Sequence, residues 1–157
     1  MSPKVGTARR SGHRVVVGVS PETGSRTALT WAWEEARMRG VDLLAVSAWR
    51  PTLPSPGPSP RPSFAPLLPD ELQARTLAHL RQVLEEVLGT DPRLQFEAMR
   101  GTVTQVLAKA AADAQLLVLG PPHPSRAAGL LAGGIMLRLT PRVRCPIVVM
   151  PQELAPA

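Results

Sequence analysis

Short runs of consecutive apolar residues alternate along this chain with longer segments in which apolar positions recur every three or four residues. The first run, Arg14 to Val19 (Arg-Val-Val-Val-Gly-Val), is continuous and β-branched, which predicts a central strand buried on both faces of a parallel sheet. After a loop at 20–24, Ser25 opens a segment in which Ala28, Leu29, Ala32 and Ala36 recur at helical spacing. These residues are small enough to let a helix lie close to a sheet, and Gly40 closes it as a C-terminal cap. Val41 to Ala48 predicts the second strand, completing a right-handed βαβ unit. Leu80, Val83, Leu84, Val87 and Leu88 place a second helix from about Asp70 to Leu88, ended by Gly89.

The same alternation continues to the end. Leu94 to Met99 predicts a third strand, and Thr102 with Gln105 forms a capping box for a third helix whose buried face is Val103, Val106, Leu107, Ala110 and Ala111. Leu116 to Leu119 is the fourth strand, Gly133 to Leu139 the fourth helix with Pro141 stopping it, and Pro146 to Met150 the fifth strand. Its leading proline is tolerated because a first strand residue can lack a donor. The pattern β-α-β-α-β-α-β-α-β implies one α/β domain over 14–151, a doubly wound parallel sheet with helices on both faces and a switch point between strands one and four.

Three stretches break the rhythm. Residues 1–13 read as a disordered basic tail, and 152–157 as a second tail. Between 50 and 69 the prolines at 51, 54, 56, 58, 60, 62, 66 and 69 rule out both helix and central strand. Too few residues precede this stretch for it to link two domains. It is expected to be a solvated, polyproline-like insertion, with a partner-binding or lid segment as the functional alternative.

Composition narrows the function classes. The 157 residues are 44% apolar and 19% charged, which fits one globular domain. No apolar run approaches the roughly 18 residues of a membrane span, so a cytoplasmic location is expected. A single cysteine, Cys145, excludes an internal disulfide and argues against a cysteine-based metal site. Of the net charge of +6, Lys4, Arg9, Arg10 and Arg14 supply +4, leaving +2 for the rest. With no aromatics alternating among the arginines, nucleic-acid binding is not expected. Two features have no account at this level: Trp31 and Trp33 lie close together, and sixteen arginines stand against two lysines.

The richest chemistry follows the fourth strand, where Gly120-Pro121-Pro122-His123-Pro124-Ser125-Arg126 leads on to Gly133-Gly134. Glycines and a helix start beyond a parallel strand suit a nucleotide phosphate. The prolines, lacking N–H groups, do not.

Together these residues resemble the universal stress protein family from Arg14 to Met150. The resemblance rests on Val-Val-Val-Gly-Val at 15–19, Gly24-Ser25 before Trp-Ala-Trp-Glu-Glu-Ala at 31–36, Arg100-Gly101, Leu116 to Gly120, and Arg144-Cys145-Pro146-Ile147-Val148-Val149. It implies a five-stranded parallel sheet of order 3-2-1-4-5, a dimer and, in one branch of the family, ATP at the switch point. That branch carries glycine, two residues, glycine, nine residues, glycine, then serine or threonine. Gly120 and Gly133 match; His123 replaces the middle glycine and Gly134 the hydroxyl residue, while Ser20 stands where nucleotide-binding members usually have aspartate. If a nucleotide binds, the resemblance places Val19, Ser20, Val46, Gly120, His123, Arg126, Gly133, Gly134 and Ile135 around it. The amides of Gly133 and Gly134 at the helix start, with Arg126 and a protonated His123, would then have to replace the lost donors.

No catalytic constellation accompanies this. P-loop, nucleophile-elbow, Cys-x-x-Cys and His-Glu-x-x-His patterns are absent from the sequence, and His13, His79 and His123 share no evident site. His79, on the second helix, reads as a boundary residue rather than a metal ligand, Glu34-Glu35 as a solvated face, and Cys145 as packing. The expectation is a cytoplasmic, non-enzymatic, dimeric regulatory module with a degenerate nucleotide site, no cofactor and no metal. It would pair through Ile147, Val148 and Val149 of the last strand and bind an unidentified protein partner. The alternative is an ATP-binding, nucleotide-dependent sensor at the same crevice.

Overall fold

The computed structural model describes residues 14–20, 26–51, 68–121 and 130–151, with side chains from 134 onward in the last helix. Its elements are β1 (Arg14–Gly18), α1 (Arg26–Arg39), β2 (Leu43–Trp49), α2 (Pro69–Leu88), β3 (Leu94–Arg100), α3 (Val103–Ala110), β4 (Ala114–Leu119), α4 (Leu130–Leu139) and β5 (Ile147–Val149). The five strands form one sheet in the order β3-β2-β1-β4-β5, every pairing parallel. This is the doubly wound parallel sheet expected from the alternation, in the strand order the resemblance implies. The 1–13 and 152–157 tails, and 52–67 of the proline-rich stretch, lie outside the described residues.

The sheet divides the core in two. Val15, Val17, Leu43, Ala45, Leu116 and Val118 face α1 and α2, whereas Val16, Leu44, Val46 and Leu117 face α3 and α4. Strands β1, β2 and β4 are therefore apolar at consecutive positions, as burial on both faces demands. In α1 the stripe Ala28, Ala32, Ala36 is fully buried. Trp31 and Trp33, each about 100° around the helix from Ala32, flank that stripe and pack on the same core. The closely spaced tryptophans thus fill the two gaps beside a helix whose contact face is only alanine and leucine. Arg93 lies over Trp33, 5.8 Å from the ring centroid.

Several strand ends shift by one or two residues, β4 for instance beginning at Ala114 rather than Leu116, and two helix starts differ from the sequence reading. Pro69 is not the end of the proline-rich stretch but the first residue of α2, where its absent N–H would be unpaired anyway and its φ suits a helix; Glu71 accepts the Leu68 N–H beside it. Helix α4 begins at Leu130 rather than Gly133. The Thr102–Gln105 capping box is formed as expected, with Thr102 Oγ1 accepting from the Gln105 N–H at 3.1 Å and Gln105 Oε1 from the Thr102 N–H at 3.1 Å. Gly101, just before it, has φ 145°, which a side chain would resist.

Candidate functional site at the carboxyl edge of the sheet

Because all strands are parallel, their carboxyl ends share one edge, and the chain leaves β1 and β4 toward opposite faces there. The crevice between these exits is where an open α/β sheet receives ligands. Its floor is closely built. At Gly18, the last residue of β1, a Cβ would sit 2.9 Å from Leu107 Cδ2 of α3 and 3.3 Å from Leu119 Cδ2. The Val19 N–H donates to the Val46 carbonyl at 2.8 Å, and the Val19 carbonyl accepts from Ser47 Oγ at 2.8 Å. Both polar backbone groups of Val19 are thereby engaged, and its side chain is buried in the α1/α2 core. Val46 is buried on the opposite face, against α3 and α4. Ser20, the next residue out, is exposed.

On the β4 side, Gly120 is half-buried, and the Leu119 carbonyl accepts the Met150 N–H at 2.9 Å, tying this exit to β5. The start of α4 corrects one expectation. Gly133 and Gly134 are the fourth and fifth residues of the helix, not its opening pair. Only the first four N–H groups of a helix lack an intrahelical partner, so the Gly134 amide belongs to the ladder and is no free donor. Nor does Gly134 mark close packing on the sheet, since a Cβ there would meet nothing within 4 Å. Ile135 packs partly against the α3/α4 core. His123 and Arg126 lie outside the described residues.

Beside the crevice, the carboxyl ends of β2 and β3 carry a cluster that the sequence did not single out. The Trp49 indole N–H donates to Gln73 Oε1 of α2, whose Nε2 donates to the Ala98 carbonyl at 2.9 Å. Arg100 lies 5.8 Å from the Trp49 ring centroid, and the Gly101 N–H donates to the Trp49 carbonyl at 2.9 Å. These contacts join residues 24 to 52 positions apart, so no local pattern foretells them. Ser47 did leave a signal, as the one polar residue in an otherwise apolar strand.

Chemical groups elsewhere do not converge on this edge. Cys145 lies ahead of β5 at the opposite, amino edge, half-buried against the α3/α4 core. Burial pushes its thiol above the ordinary thiol range, outweighing hydrogen bonds with the Cys145 and Leu117 backbone. The reactive form is the thiolate. Iodoacetamide labelling of the native protein is therefore expected to stay slow at neutral pH and to accelerate only in more alkaline solution than an ordinary thiol needs, whereas rapid neutral labelling would contradict this. Glu35 pairs with Arg39 at 3.2 Å on α1, as a solvated face allows. His79 is half-buried on α2 with Nε2 unpartnered. No group of three or more His, Cys, Asp or Glu among the described residues could hold a metal ion. None of their helices is long and apolar enough to cross a membrane.

A fold of this kind is shared by known proteins. The model of the universal stress protein family matches residues 12–151. The chain belongs to the universal stress protein family. Among curated relatives, the universal stress protein Rv2624c of Mycobacterium tuberculosis is 29% identical over 136 residues, covering 87% of this chain and 47% of the relative. Rv1996 of the same organism is 26% identical over 167 residues, covering 96% of this chain and 52% of the relative. The chain thus spans about half the length of the curated relatives it matches. Three solved universal stress proteins share the fold. One in complex with cAMP has a TM-score of 0.60 at 19% identity, covering 92% of this chain and 100% of the other. One from Archaeoglobus fulgidus in complex with dAMP has 0.53 at 16%, covering 89% and 98%. UspA from Lactobacillus plantarum has 0.62 at 18%, covering 90% and 99%.

Proposed function

We propose that this universal stress protein is a non-catalytic regulatory module that acts by pairing with itself and with a protein partner, its nucleotide crevice having lost the grip on a triphosphate. The observation carrying the reading is the spent backbone of the crevice: Val19 is tied to Val46 and Ser47, and Gly134 lies within the ladder of α4. Ser20 in place of an acid and the prolines after Gly120 point the same way.

Self-association is supported by the unequal edges of the sheet. The outer strand β3 carries Glu97 and Arg100 exposed, charges that discourage further pairing. The other outer strand, β5, is Ile147-Val148-Val149 with no charge, and Val149 is 44% exposed. Twofold pairing through β5 would cover that edge. Sedimentation at high micromolar concentration is expected to show a dimer, and Val149→Glu a monomer of unchanged fold. A wild-type monomer under those conditions would refute the pairing.

The second reading, an adenine-nucleotide sensor at the same crevice, is favoured by fold neighbours solved with cAMP and dAMP. It requires that denaturing the purified protein release an adenine nucleotide, detected by mass, or that millimolar nucleotide with magnesium raise the melting temperature. Neither is expected here.

A further inference from the structure

At the amino edge of the sheet several described charges toward β3, β2 and β1 are partnered, although Arg37, exposed in the last turn of α1, has no ion pair among the described residues. Arg14 donates to Gln95 Oε1 at 3.4 Å and Gln95 to Asp42 Oδ2 at 3.2 Å. Arg39 pairs with Glu35 at 3.2 Å and reaches Gln115 Oε1 at 3.4 Å, and Arg93 lies 4.0 Å from Asp91. Toward β5 lie Arg138, in the last turn of α4, and Arg142 and Arg144, in the connection to the strand, all exposed. None of these three pairs with an acid among the described residues.

Residues 138–144 carry three arginines and no acid, in a fold whose described residues hold thirteen Arg and Lys against ten Asp and Glu. The turn is also well braced. The Arg142 and Val143 N–H groups donate to the Leu139 carbonyl at 2.9 and 3.0 Å, and Thr140 Oγ1 to the Met136 carbonyl at 2.6 Å. Leu139, Val143 and Cys145 are held against the α3/α4 core, so the residues between them are turned outward. Favourable interaction with the C-terminal dipole of α4 accounts for one arginine in the last turn, not for three along the turn beyond it. Leu137, 79% exposed, adjoins Arg138.

We infer that the α4–β5 turn is a docking surface for an acidic protein segment, its carboxylates held by Arg138, Arg142 and Arg144 and an apolar side chain resting on Leu137. Guanidinium groups accept carboxylates in bidentate pairs, for which lysine is no substitute. Nucleic acid suits the surface less well: three cations give a short counterion-release term, and no exposed aromatic ring in the turn offers stacking. The surface lies at the edge of the sheet opposite the crevice, so nucleotide there neither makes nor removes it.

The inference rests on the partner-binding reading and gives it a place. The test uses the full-length protein and a fluorescent ten-residue peptide alternating Asp or Glu with Leu, followed by anisotropy. Binding is expected, with affinity falling at least about tenfold between low and about 0.5 M salt, as for partly exposed charge pairs. The triple variant Arg138→Gln, Arg142→Gln, Arg144→Gln should weaken it at least about tenfold, and the corresponding triple lysine variant should recover only part of the loss. Because all three side chains are exposed, both variants should melt close to the wild type. Binding that ignores the glutamine variant overturns the surface while leaving the partner reading intact. No binding of the acidic peptide, or tighter binding of a ten-nucleotide oligothymidylate or of phosphatidylserine vesicles, overturns the inference itself.

Discussion

Truncating Leu117 to alanine is expected to remove about 2–5 kcal/mol of stability, the range for large-to-small changes in closed cores. Leu117 is fully buried and sits in β4 with Val16 of β1 on one side and Ile147 of β5 on the other. Its side chain fills the layer between the sheet and the α3/α4 helices. Strands on both flanks keep the backbone from closing over the void, since the Leu117 N–H is held by the Pro146 carbonyl at 3.0 Å. For a chain of 157 residues the loss corresponds to a fall in melting temperature of about 4–20 °C. Met38→Ala, at a position 74% exposed, is the control and should change stability by less than about 0.5 kcal/mol. Equal effects of the two changes in a denaturant titration would mean that the α3/α4 layer is not packed as described.

Ser47→Ala should have the next largest effect and bears directly on the crevice. The hydroxyl is buried and donates to the Val19 carbonyl, so its removal leaves that carbonyl short of a partner and should cost about 1–3 kcal/mol. The change should be local as well. Hydrogen exchange at the amides of Val19 and Ser20 should quicken while β3 and β5 keep their protection, and Ser47→Thr should restore part of the bond. An alanine variant with wild-type stability and exchange would show that Ser47 does not hold the exit of β1.

Much of the fold was legible because the buried strands are nearly continuous apolar runs. Val15, Val16 and Val17 announce a strand covered on both faces, and the Ala28, Ala32, Ala36 stripe announces a helix in close contact. The missed boundaries have specific causes. Glycine is a poor helix former, so Gly133 and Gly134 look like a beginning, although α4 already includes Leu130 and Leu131. Pro69 looks like the end of a proline-rich stretch because the tolerance of a first helical turn for proline depends on where the helix starts.

The site was less legible. Ser20, Gly120 and Gly134 are found by their distance from strand ends, but the state of the Val19 backbone depends on Ser47, 28 positions away. The pairing of Trp49 with Gln73 and Arg100 is likewise a product of the sheet order, not of any local motif. The excess of arginine acquires part of its meaning only when Arg138, Arg142 and Arg144 are seen to share one turn, with no acid paired to them among the described residues.

Calorimetric titration of the full-length protein with adenosine, AMP and magnesium ATP measures the phosphate grip of the crevice directly. A crevice whose donors are already committed should give three affinities within about tenfold of one another, or no heat with any of them, a spread of at most about 1.4 kcal/mol. Magnesium ATP binding about a hundredfold or more tighter than adenosine would show that the phosphates are held, and would contradict the account.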